Sequence, residues 1–176
     1  MQASAFASDI DAYLAYIDLE RGLSRNTREG YRRDLEQCAR FAAGQGASGW
    51  RAVTAELAGA WIRSLSRRTA ASSQARKLTA LRMFARFLVR ERRRPDDFTA
   101  LLTGPRLVRR LPHSLTPEET GRLLASPSGG DPASLRDRAL LELFYSSGLR
   151  VSELAALTLQ QVDLEGGYAR VFGKGS

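Results

Sequence analysis

Apolar residues recur at helical spacing along the first half of the chain. Between Asp9 and Arg21 they fall at Ile10, Tyr13, Leu14 and Ile17, in steps that place them on one helix face. Gly22 ends that run. Ser24 or Asn26 can cap the next helix, because a short side-chain oxygen accepts a backbone N–H of the first turn. This second helix runs to about Ala43, with Tyr31, Leu35, Cys38, Phe41 and Ala42 as its apolar stripe. Gly44, Gly46 and Gly49 mark a loop, and Thr54 caps a third helix through about Arg67. A fourth runs from about Ala70 to Arg92, with Leu78, Leu81, Phe84, Ala85 and Leu88 facing inward.

Arg93 to Pro112 reads as a connector, punctuated by Pro95, Gly104-Pro105 and Pro112. Beyond it Thr116-Pro117-Glu118-Glu119 spells a capping box with proline at the first helical position, opening a short helix to Ala125. Ser126 to Pro132 is a loop. Asp137 to Ser146 is a helix with Leu140, Leu141 and Phe144 inside, Gly148 turns the chain, and Arg150 starts another helix through Leu157. The period then changes from helical to alternating. Val162 and Leu164, the Gly166-Gly167 turn, and Tyr168, Arg170 and Phe172 predict a β-hairpin. Two strands alone are marginal, so a sheet is expected to continue past Ser176 in a longer chain.

Charge sharpens this division. The 176 residues carry a formal net charge of +8. Residues 1–94 hold 18 basic side chains against 9 acidic, whereas residues 113–176 hold 6 against 8. A basic excess confined to one segment is the electrostatic footprint of a polyanion partner. No stretch approaches the roughly 20 apolar residues of a membrane helix, and Met1 to Asp11 lacks the basic region of a secretory signal. The single cysteine, Cys38, forbids an internal disulfide, which fits a reducing, cytoplasmic setting, and it reads as core filler. The five tyrosines, Tyr13, Tyr16, Tyr31, Tyr145 and Tyr168, read as packing residues.

Two segments can carry chemistry. In Ser147 to Leu154, Gly148 sets Arg150 at a helix start, where a guanidinium can clamp a phosphate with paired hydrogen bonds; pairing with Glu153 on the helix surface is the alternative. In Gly173-Lys174-Gly175-Ser176 the lysine sits between glycines after a strand, able to reach a phosphate or donate a proton, or simply to be solvated. It is not a nucleotide-binding P-loop, because Gly175 follows Lys174 and Tyr168 occupies the first glycine position. Arg82, Arg86 and Arg90, four residues apart, form either a phosphate stripe or a solvated face.

Taken together, these features resemble the XerC/XerD branch of the tyrosine recombinases. The likeness rests on Asn26-Thr27 with Tyr31-Arg32-Arg33-Asp34-Leu35, on Arg110-Leu111-Pro112, and on Leu135-Arg136-Asp137-Arg138-Ala139-Leu140-Leu141-Glu142. It continues through Ser147 to Leu154 and Gly173-Lys174-Gly175, and so covers nearly the whole chain. Asp96-Asp97 leans it toward XerD.

The resemblance implies a mainly α fold. An N-terminal four-helix SAM-like DNA-binding domain (1–94) and a linker (95–112) would precede the first part of an α+β catalytic domain (113–176) ending in the hairpin. It implies site-specific recombination of double-stranded DNA at a dif-like site through a 3′-phosphotyrosyl intermediate, serving chromosome-dimer resolution. A partner Xer recombinase would complete a heterotetramer, with no metal or other cofactor and no membrane involved. Arg150 would contact the scissile phosphate, and Lys174 would protonate the leaving 5′-oxygen. The second and fourth helices would approach the major groove, making Arg25, Thr27, Arg28, Arg32, Ser72, Ser73, Arg76 and Lys77 the candidate DNA contacts.

The family also expects a His-x-x-Arg segment, another His or Trp and a nucleophilic tyrosine downstream. His113 is the only histidine and is not followed by arginine three residues on. The chain is therefore expected to bind DNA without cleaving it. A non-catalytic module occupying or antagonising recombination sites is the alternative. A helical interaction protein with incidental charge fits the localised charge less well.

Overall fold

A computed structural model describes residues 2–21, 23–66, 69–107 and 113–171. In chain order the elements are α1 (Gln2–Arg21), α2 (Arg25–Gly44), a 3-10 turn (Trp50–Ala52), α3 (Ala55–Leu65) and α4 (Ala71–Arg90). There follow α5 (Pro117–Leu124), α6 (Pro132–Ser147), α7 (Val151–Ala155), a second 3-10 turn (Leu159–Gln161), β1 (Val162–Asp163) and β2 (Tyr168–Ala169). The chain divides into two compact units, Met1–Arg109 and Arg110–Ser176.

The first unit is a helical cluster around one apolar core. The stripe expected on α1 is buried at Ile10, Tyr13, Leu14 and Ile17, and that on α4 at Leu78, Leu81, Phe84, Ala85 and Leu88. From α2, Leu35, Cys38 and Ala42 join them, and burial of Cys38 pushes its thiol pKa well above the ordinary range. The caps fall where short polar side chains predict them. Ser24 accepts from the Thr27 N–H, and Thr54 accepts from the Leu57 N–H at 3.2 Å.

Two boundaries of this unit differ from expectation. α1 begins at Gln2, not near Asp9, because Phe6 extends the apolar stripe one turn and meets the Trp50 ring edge-on at 5.2 Å. The expected linker 95–112 is in part core. Phe98 and Thr99 are buried, and the guanidinium of buried Arg94 lies 4.6 Å over the Phe98 ring. Arg94 donates to the carbonyls of Trp50 and Val53 and pairs with Asp96 at 3.1 Å, so a basic residue read as the edge of a linker is an internal strut. Residues 108–112, with Arg110-Leu111-Pro112, lie outside the described residues.

The second unit, taken by itself, keeps its local signals. Thr116 and Glu119 form the capping box: the Thr116 N–H donates to the Glu119 carboxylate at 2.8 Å, and the Glu119 N–H to Thr116 Oγ1 at 3.2 Å. α6 starts five residues earlier than expected. The Asp131 carboxylate accepts the N–H groups of Ala133 and Ser134, and Pro132 supplies the first helical position. Gly148 closes α6 at φ 63°, a left-handed conformation that favours glycine. The hairpin pairs antiparallel, Val162 with Ala169 and Asp163 with Tyr168.

The expected burial on α6 does not occur. Leu140 and Phe144 are 39% and 37% exposed, and none of the described residues from 113 to 171 is buried. Among the described residues, the three helices and a ribbon of two-residue strands supply no second layer to cover an apolar face. Tyr145 and Tyr168 are likewise exposed, contrary to their reading as packing residues. No described helix is long and apolar enough to cross a membrane.

Candidate nucleic-acid interface

The candidate DNA contacts of the first unit fall into two clusters, because α2 presents arginines to α1 on one side and a carboxylate to α4 on the other. Arg28 and Arg32, one turn apart, face α1, where Arg28 pairs with Asp18 and Arg32 with Asp11 at 2.8 Å. Arg25, in the first turn, is highly exposed and pairs with Glu29 at 2.8 Å. Its guanidinium holds the Glu29 carboxyl below its usual pKa. The Thr27 hydroxyl sits 2.9 Å from that of Ser24 and belongs to the cap.

The other cluster joins α2 to α4. Arg76 and Lys77 converge on Asp34, Lys77 Nζ at 2.8 Å, and Lys77 also donates to Gln37 at 2.6 Å. Ser72 is exposed and Ser73 half-buried in the first turn of α4, whose N-cap residue Ala70 offers no side-chain cap.

These acidic partners are what sequence reading missed. Asp11 and Asp18 lie seven residues apart on α1, a spacing that shares a face, and that pattern could have found them. Arg33, by contrast, is exposed and makes no ion pair among the described residues. The arginines of the four-residue repeat separate as well. Arg90 lies 3.8 Å over the Tyr16 ring, Arg82 donates to the Leu102 carbonyl, and Arg86 stays exposed.

In the second unit Arg150 is the N-cap residue of α7. Glu153 accepts from its backbone N–H at 2.7 Å and from its guanidinium Nη1 at 2.6 Å. Those two bonds, the backbone one first, hold the Glu153 carboxyl below its usual pKa. Local pairing with Glu153 is therefore present. It orients one edge of the guanidinium while the side chain remains 65% exposed, so the other edge can still meet an anion. Lys174 lies outside the described residues. Among the described residues no group of three His, Cys, Asp or Glu side chains is placed to hold a metal.

Comparison with known proteins matches both units. Residues 10–92 match the family described as phage integrase, N-terminal SAM-like domain, and residues 113–176 match the phage integrase family itself. A tyrosine recombinase XerD of Proteus mirabilis is 41% identical over 94% of this chain and 53% of its own length. A XerD of Pseudomonas aeruginosa is 44% identical (95% of this chain, 56% of its own), and a XerC of Azotobacter vinelandii is 43% identical (96% and 57%). The chain thus spans about half the length of the curated relatives it matches. Matched in both units, and at similar identity to relatives of both names, the chain belongs to the phage integrase family, among the XerC/XerD tyrosine recombinases.

Proposed function

We propose that this chain is the duplex-gripping and phosphate-positioning part of a tyrosine recombinase that cuts and rejoins double-stranded DNA at a dif-like site. The reading assigns it to chromosome-dimer resolution in the cytoplasm, with a partner Xer recombinase completing a heterotetramer. The observation that carries it is Arg150, seated at the start of α7 with one guanidinium edge fixed by Glu153 and the other exposed.

In strand cleavage a tyrosine oxygen attacks the phosphorus, the bond to the 5′-oxygen breaks, and the leaving oxygen takes up a proton. The new 3′-phosphotyrosyl bond keeps the energy needed for rejoining. Negative charge grows on the non-bridging oxygens, and a fixed guanidinium lowers that barrier. We assign Arg150 to those oxygens and Lys174 to the proton, because arginine clamps planar anions whereas lysine is a movable donor. Guanidinium and ammonium groups would then fill the role that a divalent cation fills in other phosphoryl-transfer sites. Of the candidate contacts of the first unit, Arg25, Arg28, Arg32 and Arg76 would meet backbone phosphates and fix the register.

None of the chain's own tyrosines suits the nucleophile's role in this reading. Tyr13 is buried, Tyr16 is covered by Arg90, and Tyr31 donates to the Met83 sulfur at 3.4 Å. Tyr145 and Tyr168 are exposed on α6 and the hairpin, upstream of the segment in which the resemblance places the nucleophile. Incubated with a nicked duplex, the 176-residue chain should give a non-covalent shifted complex and no detergent-resistant adduct. A phosphotyrosyl adduct would overturn the assignment of this chain as binding without cutting, and absence of any complex at low salt would overturn the duplex-gripping role.

A further inference from the structure

Asp34 is 2% exposed, yet it is a carboxylate, and a buried charge persists only when it is paired. Here it meets two cations, so the cluster carries a net positive charge. They are not equivalent. The Lys77 side chain is 12% exposed, and its ammonium group is engaged by Asp34 and Gln37 inside the α2–α4 junction. The Arg76 side chain is 50% exposed. Two of its five N–H donors meet Asp34 end-on, from Nη1 and from Nη2 at 3.2 Å, which leaves the Nε edge outward. Its Nη1 lies 3.7 Å from where a Cβ at Gly30 would stand, so the guanidinium rests on the α2 surface one turn before Asp34.

We propose that Asp34 is a positioning residue for DNA recognition: it fixes the guanidinium of Arg76 so that the outward donors face the duplex, while Lys77 serves as its internal counter-charge and does not touch DNA. This rests on the duplex-binding reading above. An unrestrained arginine loses rotamer freedom when it binds, whereas Arg76 has lost it on folding. A fixed fork is also what bidentate contact with phosphate or a guanine edge requires. Lys77 thereby leaves the set of phosphate contacts, and Arg76 becomes its best-oriented member.

The test is a double-mutant cycle on duplex affinity, read by fluorescence anisotropy together with melting temperatures. Arg76→Ala should weaken binding about tenfold, the effect of removing one good bidentate pair. Asp34→Asn should weaken it several-fold in the wild-type background and leave it unchanged in the Arg76→Ala background, whatever it does to the melting temperature. A purely structural role would weaken both backgrounds alike, which overturns the proposal. If Asp34→Asn does not fold, Lys77→Met takes its place. Its affinity should stay within about twofold of wild type, and a tenfold loss would overturn the internal role of Lys77. Wild-type binding with Arg76→Ala unaffected defeats this inference alone, whereas a wild-type chain that binds no duplex defeats the duplex-binding reading and this inference with it.

Discussion

Replacing Trp50 with alanine should destabilise the first unit by about 4 kcal/mol, the range seen for large aromatic truncations in cores. Trp50 is 2% exposed and sits where three segments meet. Phe84 of α4 meets its ring at 4.7 Å, Phe6 of α1 at 5.2 Å, and Phe98 stacks at 6.4 Å. Its indole N–H donates to the Phe6 carbonyl at 3.1 Å, and its own carbonyl accepts from Arg94. Truncation therefore removes apolar burial, opens a cavity too enclosed to collapse, and loosens the segment that holds Phe98. Domains of this size hold only about 5–15 kcal/mol in total, so the variant should sit close to unfolding. Urea titration followed by helical circular dichroism reads the effect. A loss below about 1 kcal/mol would contradict the placement of Trp50 at the hub of the core.

The second large effect concerns binding. Replacing Arg28 and Arg32 together with alanine should lower duplex affinity on the order of tenfold per arginine, and flatten the salt dependence by about two units of slope. Both residues pair with α1 carboxylates, Asp18 and Asp11, and both pairs are partly exposed. Exposed ion pairs contribute little, about 0–1 kcal/mol, so exchanging a carboxylate for a phosphate costs little and the double variant should keep most of its stability. That separates a binding role from a folding role. An unchanged slope with unchanged affinity would remove Arg28 and Arg32 from the interface.

The sequence carries most of the local structure and little of the pairing. Helical periodicity located α1 through α4, and Ser24, Thr54 and Thr116 announced helix starts, because a cap is an interaction between residues three apart. The same rule applied to Asp131-Pro132 would have placed the start of α6. Arg94 and Phe98 were harder to read. Proline and charge make that segment look like a linker, and only the distant carbonyls of Trp50 and Val53 reveal Arg94 as buried.

The candidate DNA-binding residues follow the same division. Glu153 was legible as the partner of Arg150 because it is three residues away on the same helix. Asp34, facing Arg76 and Lys77 across two helices, was not, since periodicity says which face is apolar and not which charge lies opposite. The exposed Leu140 and Phe144 have the reverse origin: their pattern is helical and amphipathic, but the described elements of their unit give them no layer to pack against.

The basic excess of the first unit should act as a duplex-binding surface. That role is tested most directly by the affinity of the unmodified chain for a duplex between about 50 and 200 mM salt. Log affinity should fall linearly with log salt. The slope should be about −4 or steeper, as four or more of the arginines on α2 and α4 release counterions from phosphate. A flat line, or no duplex binding at the lowest salt, would contradict it.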